Sequence, residues 1–74
     1  MKVKITSRVG HRYLGNDNPK GDHEVHDLTN EKPQCQVTTI LSNGNAVGFI
    51  PDSLVQAHGD GFDNCGHCIG NSTR

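Results

Sequence analysis

The sequence predicts a small α+β fold: a curled antiparallel sheet of three or four strands, one short helix and a C-terminal knuckle pinned by metal. Three observations predict it. Residues 2–6, KVKIT, alternate polar and apolar side chains, as a half-buried strand does. Residues 34–50 hold two β-branched, apolar runs around the turn-forming SNGN. The final stretch, DNCGHCIGNSTR, carries Cys65 and Cys68 in a glycine-rich setting with little apolar surface of its own.

Seventy-four residues make a single domain spanning 1–74. With 31% hydrophobic residues, no Trp, one Tyr and two Phe, one core of this size supplies only about 3–5 kcal/mol. Nine glycines add backbone entropy to be overcome. Such a chain calls for a staple, and its cysteines are where to look.

In order along the chain, the strand opening at residue 2 extends toward Val9. Residues 15–22, GNDNPKGD, are dense in turn formers and read as a loop. Residues 23–28 make a short strand with Val25 on one face and His26 on the other. TNEKP turns the chain, since Pro33 does not suit a central strand. Residues 34–41, QCQVTTIL, read as the best strand, with Cys35, Val37, Thr39 and Leu41 on one face. Together with AVGFI they make a β-hairpin over 34–50. Residues 51–59, PDSLVQAHG, read as the helix, with Pro51 in the first turn, Asp52 near the N-terminal end and Gly59 at the stop.

The cysteines point to metal. An odd count of three does not suit a disulfide framework. No apolar run of signal-peptide length follows the N-terminus and none nears the roughly 20 residues that span a bilayer, so a reducing cytoplasmic setting is expected. A zinc ion takes four thiolate or imidazole ligands in a tetrahedron. Cys65 and Cys68 supply two and Cys35 a third. His26 leads for the fourth, because a strand over 23–28 pairing with one over 34–41 would bring it near Cys35. His58 and His23 follow as alternatives; His11 is a further candidate, and His67 lies between the two cysteines, where joining the same ion would strain the turn. Asp22, Glu24 and Asp27 would form a solvated carboxylate rim or a supporting layer behind the ligands.

Cys65-Gly66-His67-Cys68-Ile69-Gly70 resembles the knuckle of rubredoxin-type and zinc-ribbon sites, over six residues. Cys65-Gly66-His67-Cys68 is also identical to the active motif of protein disulfide isomerases. That family places its first cysteine at the start of a long helix, where the dipole lowers its pKa. Here residues 69–74, IGNSTR, offer no such helix, and Asn64 replaces the aromatic residue usual before the motif.

Charge is unevenly spread within a net −1. Residues 1–20 carry Lys2, Lys4, Arg8, Arg12 and Lys20 against Asp17 alone, and the remainder carries two basic residues against seven acids. Two oppositely charged segments that attract each other explain this most simply; a nucleic-acid-binding arm of Lys2, Lys4, Arg8 and Arg12 is the alternative. No phosphate-cradling loop and no nucleophile setting is present in the sequence. The expectation is therefore a non-catalytic, zinc-binding module that interacts with or regulates a larger protein. A thiol–disulfide function at Cys65 and Cys68 is the competing expectation.

Overall fold

In a computed structural model, residues 1–21 and 23–70 are described, so Asp22 of the expected carboxylate rim lies outside the described residues. The fold is α+β, with a five-stranded mixed sheet rather than a three- or four-stranded antiparallel one. Strands β1 (Lys2–Lys4), β2 (Tyr13–Asn16), β3 (Glu24–Asp27), β4 (Ala46–Phe49) and β5 (Asp63–Asn64) lie in the order β1-β4-β2-β3-β5. All neighbours pair antiparallel except β3 and β5, which run parallel. Two short helices, α1 (Val37–Ser42) and α2 (Leu54–Gly59), and two 3-10 turns, Leu28–Asn30 and Pro33–Cys35, complete the described elements.

The period of two along the strands divides the core between the two faces of the sheet. On one face Leu14 and Ala46 pack with Ile5, with Val37 and Ile40 of α1, and with all three cysteines. On the other, Val25, Val47 and Phe49 pack with Ala57 of α2 and with Phe62. Phe49 and Phe62 meet edge to face at 5.2 Å. Consecutive residues of β3 therefore face opposite ways: Val25 joins the aromatic face and His26 the cysteine face.

Residues 34–41 are not a strand, and 34–50 is not a hairpin. The chain makes the 3-10 turn Pro33–Cys35, reverses at Gln36 in the left-handed region (φ 55°, ψ 39°), and enters α1. Val37 and Ile40, three apart, face the core from that helix. The first strand ends at Lys4 rather than running toward Val9, which is 84% exposed in the turn that follows. Residues 13–16 form β2 although Gly15 and Asn16 read as a loop. The helix expected over 51–59 begins later, at Leu54, capped by the Ser53 hydroxyl accepting from Gln56 N–H at 3.1 Å. Asp52 instead accepts the backbone N–H groups of Arg12 and Tyr13, at 2.7 and 3.0 Å. Among the described residues, no helix is long and apolar enough to cross a membrane.

Candidate metal centre

The site grows out of the parallel pairing of β3 and β5. Asp63 N–H donates to His23 O at 2.9 Å and Cys65 N–H to Val25 O at 3.0 Å, which delivers Cys65 beside His26. The chain then curls: Ile69 and Gly70 N–H both donate to Cys65 O, at 3.1 and 2.9 Å, and Gly70 adopts a positive φ of 78°. This turn brings Cys68 back to the same spot. Cys35 arrives from the far side, through the two 3-10 turns that follow β3. Asp27 starts that path by accepting Thr29 N–H at 3.0 Å and Thr29 Oγ1–H at 2.6 Å.

His26, Cys35, Cys65 and Cys68 are all buried, at 3%, 4%, 2% and 5% exposure, and their ligand atoms lie within 4.8 Å of one another. Cys35 Sγ is 3.7 Å from Cys65 Sγ, and Cys68 Sγ is 3.9 Å from His26 Nδ1. A tetrahedral ion with bonds of about 2.3 Å to sulfur and about 2.0 Å to nitrogen holds its ligand atoms about 3.5–3.8 Å apart. The four atoms thus need shifts of about 1 Å or less to close on one ion. No disulfide links the three thiols.

The environment suits that chemistry. Asp27 N–H donates to Cys68 Sγ at 3.3 Å and His67 N–H to Cys65 Sγ at 3.5 Å; both would stabilise thiolates. Asn30 Nδ2 donates to Cys68 O at 2.8 Å, tying the knuckle to the first 3-10 turn. Burial pushes the Cys68 thiol up to about 12, against the Asp27 N–H and with the neighbouring thiols adding to it. Burial likewise raises Cys35. It lowers His26, with Glu31 pulling the other way and His67 adding to the drop. Without metal, these three groups therefore favour their uncharged forms at neutral pH. Entry of a divalent cation would displace the thiol protons and leave a charge that the two N–H donors face.

The other histidines stand elsewhere. His58 Nε2 is 2.7 Å from Asn64 Oδ1 on the surface, and His23 pairs with Asp17 at 3.2 Å while resting its ring against Phe62. His11 lies over Gly48. His67 is exposed at the knuckle tip. The pairing of strands 23–28 and 34–41 that favoured His26 does not exist, since β3 lies between β2 and β5. Sequence reasoning missed Asn30 and the backbone N–H of Asp27, whose roles depend on the unforeseen 3-10 turn. Asp27 itself caps that turn and pairs with Arg12 at 3.4 Å instead of standing as a free rim carboxylate.

Of the expected basic arm, Lys2 pairs with Asp17 at 2.9 Å, Arg8 binds both carboxylate oxygens of Glu31 at 2.8 Å each, and Arg12 meets Asp27. The last two pairs join the basic segment to the acidic remainder.

Fold and site together define a small α+β protein with a buried Cys3His cluster that could hold a metal ion. Compared with known families, curated proteins and solved structures, the chain gives no match.

Proposed function

We propose that the protein binds one zinc ion through His26 Nδ1 and the Cys35, Cys65 and Cys68 sulfurs, and that the ion is structural. The mutual approach of four buried soft-ligand atoms from three separate segments carries this reading. Sulfur-rich, tetrahedral, closed sites favour zinc among the divalent ions of the cell. The ion would join β3, the Pro33–Cys35 turn and the knuckle, which otherwise meet through a thin cysteine-lined interior. Four protein ligands leave no position for a reacting water, so the site supports a structural rather than a catalytic role.

The domain so stapled would serve as an interaction or regulatory module for a larger protein partner. The pairing of Lys2, Arg8 and Arg12 with acids leaves less free positive charge for nucleic acid.

Elemental analysis of protein purified under reducing conditions, followed by melts with and without chelator, tests the metal. The expectation is one zinc per chain and a chelator-induced drop in Tm of more than about 20 °C, since each kcal/mol moves a domain of this size by about 4–8 °C. Metal-free protein with a melt indifferent to both chelator and added zinc would overturn it.

A further inference from the structure

The Cys-x-x-Cys spacing marks Cys65 and Cys68 as the natural redox couple, but the folded chain pairs the sulfurs differently. The sulfur in contact with Cys65 belongs to Cys35, thirty positions earlier, at 3.7 Å. Cys68 Sγ meets the Asp27 N–H at 3.3 Å and His26 Nδ1 at 3.9 Å, and it also neighbours the Cys35 thiol, which stands 3.7 Å from Cys65. The doubled hydrogen bond onto Cys65 O fixes the turn between the two knuckle cysteines, so drawing their sulfurs together would work against that turn.

We infer that the cluster is an oxidation-regulated centre in which peroxide joins Cys35 to Cys65, leaves Cys68 a thiol, and ejects the metal. The regulatory meaning rests on the metal reading above; the choice of sulfurs rests on geometry alone. A disulfide bond is about 2.05 Å long, so the two sulfurs must close about 1.7 Å. The reaction balances with hydrogen peroxide as oxidant. One thiolate sulfur attacks a peroxide oxygen, breaking the O–O bond to give a sulfenic acid and hydroxide, which is protonated to water. The second thiolate sulfur then displaces the sulfenic hydroxyl, which takes a proton and leaves as water, and the S–S bond forms. From the metal-bound state, two thiolates, one peroxide and two solvent protons become one disulfide and two waters.

The product differs from a damaged site. The ion would keep only Cys68 and His26 and leave, while the new bond would still tie the knuckle to the Pro33–Cys35 turn. Oxidation would then exchange one staple for another and free the His26–Cys68 half alone.

The test is to treat the zinc-loaded chain with one equivalent of hydrogen peroxide. Metal release is followed with a chromophoric indicator, free thiols are blocked, and the disulfide is mapped by peptide mass spectrometry. The expectation is a Cys35–Cys65 bridge, an alkylated Cys68, stoichiometric metal release, and recovery of binding after reduction. A Cys65–Cys68 or Cys35–Cys68 bridge, a bridge between chains, or oxidation with the metal retained would overturn the proposal. The same mapping on metal-free wild type and on Cys68→Ser keeps the two readings apart. If no metal binds but Cys35–Cys65 still forms, the metal reading fails and the pairing stands; if metal binds and Cys65–Cys68 forms, the reverse holds.

Discussion

Gly15 occupies a point on β2 where no side chain fits. A Cβ there would stand 2.8 Å from Phe49 Cζ, 2.8 Å from Phe62 Cε2 and 2.9 Å from Val47 Cγ2, all atoms of the buried aromatic face. Neither ring can swing into solvent, so Gly15→Ala should cost about 1–3 kcal/mol, read as a lower urea midpoint with an unchanged slope. Ordinary loss of strand stability would not follow, because alanine is a better strand residue than glycine at an open site. In the sequence the glycine reads as the start of a loop, since the rings that require it come thirty-four and forty-seven residues later. The cysteines were legible because their chemistry is intrinsic to the residue type. His26 was reached through a strand pairing that the fold does not use. What brings it to the cysteines is a two-residue parallel strand, Asp63–Asn64, with no β-propensity of its own.

At the scale of elements, α1 is the clearest departure from propensity. Its sequence VTTILS is rich in β-branched residues, which lose side-chain freedom in a helix. The segment is so short that both periods fit: Cys35, Val37, Thr39 and Leu41 satisfy a strand, and Val37, Ile40 and Leu41 satisfy a helix. Packing against Leu14 and Ala46 decides in favour of the helix. Thr39 is exposed on that helix, so Thr39→Ala should raise stability by about 0.5 kcal/mol, measured by urea denaturation. A fall would mean that the segment is extended, where threonine is the better residue. By contrast, β1, β3, β4 and α2 were legible from alternation and punctuation: β3 loses one residue at each end and β4 one at its C-terminal end, α2 starts three residues late, and β1 stops five short of Val9, as caps and turns took over.

For the whole molecule, charge acts as a weak clasp. Arg8 and Glu31 join the basic N-terminal segment to the connection between β3 and α1, and Arg8 also reaches Thr38 Oγ1 on α1 at 3.0 Å. The Arg8 hydrogen bonds hold the Glu31 carboxyl below its ordinary value of 4.5, outweighing a partial burial that acts the other way. A carboxyl depressed in the folded state stabilises above its unfolded pKa and loses that contribution as pH falls through the folded value. Stability should therefore decline below about pH 4.5. Glu31→Gln should flatten this part of the acid limb while costing under about 1 kcal/mol at pH 7, because the pair is partly exposed. Urea midpoints at pH 7 and pH 3 for both proteins check it, and an equal acid loss in the variant would contradict it. The uneven charge was visible in the sequence; which acid meets which base depended on turns that were not.

If the cluster holds a metal as proposed, the parallel seam between β3 and β5 bears on what a shortage of that metal would look like. β5 is a cover strip for a row of β3 backbone groups, fastened just beyond its end by Cys65. Were the fastening to lapse, the middle of the sheet would keep its antiparallel partners while one side of β3 came open. An uncovered strand invites the same strand of another copy. A metal-starved population would then leave solution as aggregate before it melted, and cells would register the shortage as lost protein rather than as unfolded protein.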